Sequence, residues 1–219
     1  MSTLGKRLLV LPAVVATAMS FAVATARADT ADCPDTEVVF ARGTGELPGP
    51  GRVGQLFADH LAAQSGGRRI ETYGVNYPAS YNFFTTGIGA SDAAAHITAT
   101  AQRCSSTKVV LGGFSQGAAA VSMLAGVPPL GNTVGDLASS PPLPPDIADR
   151  VTAVAVFGNP SARFGAPLSE NGQFAGRTID MCAGGDPICS VTGHDRAAHS
   201  AYAESDYAGV AAGYVAGLL

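Results

Sequence analysis

The stretch KVVLGGFSQGAAAVSMLA, Lys108 to Ala125, decides the fold. Lys108–Gly112 is a short apolar run of the kind buried on both faces of a parallel sheet. Gln116–Ala125 is Ala-rich and reads as a helix. Between them, Gly113-Phe114-Ser115-Gln116-Gly117 matches G-x-S-x-G. Small residues at both ends allow a sharp turn that pushes the Ser115 hydroxyl out above the sheet. The helix that follows points its N-terminus at the same place and favours developing negative charge there. A plain structural turn is the competing reading in a Gly-rich chain. The order strand, turn, helix favours a nucleophile.

Outward from this unit the same alternation repeats. Further strands are expected at Glu37–Ala41, Ile70–Val75, Val151–Phe157 and Thr178–Cys182. Helical patterns lie between them. Val53, Leu56, Phe57, His60 and Leu61 share one helical face, Gly89 to Arg103 is Ala-rich, and Tyr202 to Leu218 is the last candidate. Strand–helix alternation predicts an α/β fold with a mostly parallel sheet. One stretch departs from it. Val127 to Ile147 carries Pro128, Pro129, Pro141, Pro142, Pro144 and Pro145 and has little periodicity. It is read as a long surface loop, either a connector or the rim of a binding cleft.

Only 14% of the 219 residues are charged, against about 25% in an average globular chain. That excludes a polar disordered chain and a Glu/Lys-rich coiled coil. Lys6 and Arg7 are followed by an uncharged run from Leu8 to Ala26 and by Ala26-Arg27-Ala28, an A-x-A cleavage pattern. Residues 1–28 therefore read as a signal peptide and residues 29–219 as a single exported domain, extracellular or cell-wall associated. A membrane anchor is the competing reading of the leader. Removing the leader takes away three basic residues and no acid, and leaves Lys108 as the one lysine. Nucleic-acid binding needs a basic patch, so it is excluded. The absence of Trp and of a basic amphipathic helix leaves at most transient contact with lipid surfaces.

Four cysteines behind an export signal read as two disulfides, with three pairings open by count. The favoured pairs are Cys33–Cys104 and Cys182–Cys189, worth roughly 4 and 2 kcal/mol by loop entropy. A zinc site on Cys189 with His194 and His199 is the alternative. The six residues between Cys182 and Cys189 fit it poorly.

A serine alcohol needs a base to take its proton. His60 and His96 precede Ser115 in helical patterns and are read as surface residues. His194 and His199 follow it, with Asp180, Asp186 and Asp195 as candidate acids. The order Ser, Asp, His is that of α/β-hydrolases, but spacing leaves the pairing open.

The run Cys182-Ala-Gly-Gly-Asp186-Pro-Ile-Cys189, with His199 and Tyr202 beyond it, resembles the signature of the cutinase family. Gly113–Gly117 matches that family's nucleophile turn. Ala41-Arg42-Gly43-Thr44-Gly45-Glu46 resembles its oxyanion loop. Asn76-Tyr77-Pro78-Ala79-Ser80 and Phe157-Gly158-Asn159-Pro160 are similar to motifs of secreted actinobacterial members. The resemblance spans about residues 33 to 215. It implies a three-layer α/β/α sandwich on a five-stranded sheet and a triad of Ser115, Asp186 and His199. His199 would sit on the loop before the last helix, and His194 would be a loop histidine outside the motif. The backbone N–H of Gln116 is one expected oxyanion donor. By resemblance the N–H and hydroxyl of Thr44 are others. Serine is frequent at the Thr44 position in the family, and the threonine's β-branch restricts its rotamer. The same two disulfides are the family's pairings.

The function expected is a secreted serine esterase that cleaves carboxylic esters through an acyl-Ser115 intermediate. It would act as a monomer and need neither cofactor nor metal. The resemblance suggests cutin-like polyesters, short to medium acyl esters, glycerides or phospholipids. An acetyl esterase acting on polysaccharide is the nearest rival, and a catalytically silent envelope or binding protein is the rival of another class. Tyr81, Phe83 and Phe84 are read as core aromatics, with an acyl-binding surface as the second reading.

Overall fold

The computed structural model describes residues 33–131 and 140–219. The leader and the middle of the Pro-rich stretch, 132–139, lie outside the described residues. Five strands are present among them: β1 (Thr36–Ala41), β2 (Ile70–Gly74), β3 (Lys108–Phe114), β4 (Val151–Phe157) and β5 (Thr178–Met181). They form one sheet in the order β2-β1-β3-β4-β5, and every neighbouring pair is parallel.

Period-two alternation splits the strand side chains between two cores. Val39, Val109, Leu111, Val154 and Val156 pack with helices α2 (Thr86–Arg103) and α3 (Gln116–Leu124). Val38, Phe40, Val110, Ala153, Ala155 and Phe157 pack with α1 (Gly51–Gln64) and the last helix, α7 (Tyr207–Ala216). Three layers result. Phe40 lies against Phe57 and Phe157 with ring centroids 6.2 Å away in each case, and fills the space that a Cβ at Gly112 would need.

The helix after β1 covers one face and the helix after β3 covers the other. The chain therefore leaves the carboxyl ends of β1 and β3 in opposite directions, and a crevice opens between them. Thr44 follows β1 and Ser115 follows β3, so topology brings them to that crevice.

Boundaries differ from the sequence reading at particular places. β3 runs on through Gly113 and Phe114, and α2 starts at Thr86, behind a 3-10 turn at Phe83–Thr85. The last expected helix is two pieces: a 3-10 turn at Ala201–Glu204 and α7, parted by an extended Ser205. The Pro-rich stretch is not all surface loop. Leu143 is buried, and α4 (Pro145–Ala148) starts on a proline, as α5 (Pro160–Arg163) does further on; the missing N–H has no helical partner to lose there. His96 is not a plain surface residue. Glu37 on β1 is buried, and His96 Nε2 at 2.8 Å and Thr100 Oγ1 at 2.7 Å from its carboxylate answer the need for partners.

Cys33–Cys104 ties the chain ahead of β1 to the end of α2, and Cys182–Cys189 closes a loop after β5. With Cys182 and Cys189 bonded to each other, the zinc alternative on these residues falls. Among the described residues no helix is long and apolar enough to cross a membrane.

Candidate active site

Ser115 sits on the turn between β3 and α3 with φ 54° and ψ −112°. A non-glycine residue held there stores about 1–3 kcal/mol of strain. The surroundings impose it. The Ser115 N–H donates to the Phe157 carbonyl at 2.9 Å, and its own carbonyl accepts from the Ala119 N–H at 3.0 Å. A Cβ at Gly117 would overlap the Ala41 carbonyl, and one at Gly113 would lie 2.5 Å from the Gly117 backbone. The two glycines of the motif are thus places where strand, turn and helix backbones nearly touch.

His199 Nε2 lies 2.8 Å from Ser115 Oγ, and His199 Nδ1 lies 2.8 Å from Asp186 Oδ2. The carboxylate only accepts, so Nδ1 carries the proton and Nε2 is left to accept from the serine hydroxyl. Sequence reading put His199 on a loop. It belongs to a short helix, α6 (Arg196–Ser200), which Asp195 caps by accepting from the Ala197 N–H at 2.9 Å. Phe114 packs on the imidazole with ring centroids 5.1 Å apart.

Asp186 is fully buried inside the Cys182–Cys189 loop. Its Oδ1 accepts from the Ile188 N–H at 2.7 Å, and its Oδ2 accepts from Tyr202 Oη at 2.7 Å as well as from His199. Burial alone would push this carboxyl up. The bonds from His199, Ile188 and Tyr202 outweigh it and hold the group below its ordinary value. Arg163 braces the loop from outside through the Pro187 and Ser190 carbonyls.

The other candidates are elsewhere. Asp180 accepts from Asn159 Nδ2 and the Leu168 N–H, both at 2.9 Å, and burial raises its pKa. His194 and His60 are exposed.

The loop after β1 is held from below by Arg42, which is buried and donates to the carbonyls of Glu46, Val75 and Tyr77. Tyr77 Oη donates back to the Arg42 carbonyl, and the Gly45 N–H donates to Ala79 at 2.7 Å. Two sequence motifs, Ala41–Glu46 and Asn76–Ser80, are therefore one structural unit that presents Thr44. The Thr44 hydroxyl donates to Gln116 Oε1 at 2.9 Å.

Ser115, His199, Thr44 and Gln116 all line a cleft of about 1330 Å³. Phe83, Phe84 and Thr86 form one wall, and Val127 to Gly131 with Ser140 to Pro142 form another. Tyr81, Phe83 and Phe84 are 82%, 57% and 60% exposed, so the reading of them as core is corrected. They stand at the cleft, where no neighbouring layer covers them.

Sequence reasoning assigned no role to Tyr202, Gly158, Arg42 or the Gln116 side chain. Gly158, at φ 57°, lies beneath the pair: a Cβ there would sit 2.8 Å from His199 Cε1. The quoted motifs contained all four residues; what they touch depends on the fold.

A family model described as Cutinase matches residues 32–219. The chain belongs to the cutinase family. As a member it is a serine carboxylic-ester hydrolase on an α/β sandwich. It is 47% identical over 195 residues to "Phospholipase Culp4" of Mycobacterium tuberculosis, covering 89% of this chain and 83% of that protein. It is 42% identical over 217 residues to "Carboxylesterase Culp1" of the same organism, covering 94% and 93%. Among solved structures it is similar to a Trichoderma reesei cutinase in complex with a phosphonate inhibitor, at 32% identity and TM-score 0.64, over 85% of this chain and 77% of that one. The catalytic core of an acetyl xylan esterase from Trichoderma reesei shares the fold at TM-score 0.71 and 23% identity, over 86% and 100% of the two chains.

Proposed function

We propose that Ser115 is the nucleophile, His199 the base and Asp186 the orienting acid of a secreted esterase acting on acyl esters of lipid-like substrates. The observation that carries this reading is the hydrogen-bonded line from Ser115 Oγ through His199 to Asp186, with both spacings 2.8 Å, opening on an apolar cleft. His199 takes the Ser115 proton as Oγ bonds to the ester carbon. It then hands that proton to the departing alcohol as the C–O bond breaks. Water, deprotonated by the same imidazole, attacks the acyl carbon; the C–Oγ bond breaks, the imidazolium returns the proton to Ser115 Oγ, and the acid is released. Asp186 keeps Nδ1 protonated and stabilises the imidazolium. The N–H groups of Gln116 and Thr44, with the Thr44 hydroxyl, serve the tetrahedral oxyanion.

The finer substrate is a medium-length acyl ester, a glyceride, a phospholipid or a cutin-like polyester. Relatives called phospholipase and carboxylesterase support this range. The apolar lining of the cleft, with Phe83 and Phe84 on one side and Val127 to Leu130 on the other, favours a fatty-acyl chain over an acetylated sugar. The basic-then-apolar leader and the two disulfides support export, with residues 1–28 removed and residues 29–219 forming one domain.

The test is hydrolysis of butyrate, palmitate and acetylated-sugar esters by the wild type and Ser115→Ala. Cleavage of the fatty-acyl esters, lost in the variant, is expected. A preference for acetylated sugar, or full activity without the serine, contradicts the reading.

A further inference from the structure

The cleft takes its two sides from the two helical layers, and they differ in chemistry. Phe83 and Phe84 lead into α2, and Val127 to Leu130 follow α3; this side is apolar. The layer of α1 contributes Arg52, at the start of that helix, and beside it α6 brings His199 and Ser200. Among the described residues that line the cleft, Arg52 is the one lysine or arginine.

Two carboxylates stand near it. Glu46 is occupied by backbone donors: its Oε2 accepts from the Gly43 N–H at 2.6 Å and its Oε1 from the Arg52 N–H at 2.8 Å. That bridge ties Arg52 to the loop that carries Thr44. Glu204 accepts from Arg52 Nη2 at 3.2 Å, and the two side chains are 66% and 71% exposed. A pair so open to water is weak and gives way to an anion that fits the guanidinium better.

The order of bond breaking decides which half of an ester reaches this side. His199 hands its proton to the departing alcohol, so the leaving oxygen lies within hydrogen-bond reach of Nε2. The alcohol half then extends past Ser200 and Ala203 toward Arg52, and the acyl chain takes the apolar side. A guanidinium presents a planar fork of N–H groups that matches two oxygens of a phosphate. A phosphodiester carries one charge on two such oxygens, and the open position of Arg52 leaves the rest of a headgroup in water.

We propose that Arg52 is a specificity-determining residue that binds a phosphate carried on the alcohol half of the substrate, as in a phospholipid, and that Glu204 competes for the guanidinium. The inference rests on the reading of Ser115 and His199 as the nucleophile and base of an esterase. Within the range of lipid-like esters it selects those with an anionic alcohol. The contact forms with bound substrate and persists in the transition state, so its loss is read in KM rather than kcat.

The test compares dibutyryl phosphatidylglycerol with dibutyrylglycerol, each dissolved below the concentration at which it aggregates. The quantity read is the ratio of kcat/KM for the phosphate ester to that for the neutral one. Arg52→Gln is expected to lower the ratio by at least about tenfold, through KM of the phosphate ester. Glu204→Gln, which frees Arg52, is expected to raise it about threefold. Both substitutions break the same ion pair, so a merely structural pair would move the ratio the same way in both. Added salt is expected to lower the ratio in the wild type and not in Arg52→Gln. An unchanged ratio in Arg52→Gln, shifts of one sign in both variants, or a wild type that cleaves the glyceride but not the phosphate ester overturns this proposal alone. Hydrolysis of p-nitrophenyl butyrate reads the serine chemistry separately. A wild type that cleaves none of the three esters overturns the esterase reading and the Arg52 site with it.

Discussion

Tyr202 donates its phenol to the same carboxylate oxygen of Asp186, Oδ2, that accepts from His199, at 2.7 Å and fully buried. The acid is therefore held by a tyrosine as well as by the disulfide loop. Its carboxylate charge is shared between two donors on that one oxygen. Tyr202→Phe removes one of them, and with it one of the bonds that hold the carboxyl below its ordinary value. Looser placement of Asp186 is expected to cost about tenfold in kcat/KM, the equivalent of about 1.4 kcal/mol. Steady-state kinetics of the variant at neutral pH check this. Activity within twofold of the wild type would show that Tyr202 only packs.

Gly158 carries the second prediction. A Cβ there would press on His199 Cε1 at 2.8 Å and on Asp186 Oδ2 at 3.2 Å, in a backbone conformation that disfavours side chains. Gly158→Ala is expected to lower kcat by about a hundredfold through displacement of the imidazole. Activity within twofold of the wild type, from a folded variant, would contradict this packing.

What was legible in the sequence follows from what short-range pattern can encode. Ser115 was readable because strand, turn and helix sit within one local stretch. The pairing of His199 with Asp186 rather than Asp180 was not readable from spacing and came from family likeness. Asp180 is almost as well placed along the chain, yet Asn159 and Leu168 take up its oxygen Oδ2. The break between Tyr202 and α7 was missed although Ser205-Asp206 is a helix-start pair. The aromatics at 81, 83 and 84 were misread because apolarity says a residue seeks cover, not whether the cover is a neighbouring layer or a substrate. His96 was misread because its partner, Glu37, is distant in sequence.

The strained turn gives a stability prediction. Ser115 is held at φ 54°, where glycine is at ease and alanine is not. Both Ser115→Ala and Ser115→Gly abolish turnover. Ser115→Gly is expected to be the more stable of the two by about 1 kcal/mol in denaturant unfolding, since strain relief exceeds the extra chain entropy. The opposite ranking would mean that the turn is not strained.

Alkaline pH supplies the next. Burial raises the pKa of Tyr202, with Asp186 adding to it, and burial likewise raises that of Tyr77. An unfolded chain loses these protons near pH 10, whereas the folded chain keeps them. Their contribution to stability is therefore complete below about pH 10 and is lost as pH rises beyond it. Tm is expected to fall above that pH, and less steeply in Tyr202→Phe and in Tyr77→Phe. Equal slopes in wild type and variants would count against these tyrosines as the cause.

The central claim is that Ser115 becomes covalently acylated. Intact-protein mass and peptide mapping after treatment with a fluorophosphonate test it most directly. One adduct per chain on Ser115, absent from Ser115→Ala and much slower to form in His199→Ala than in His194→Ala, is the result predicted. An adduct on any other residue, or none on the folded and oxidised protein, would contradict the account.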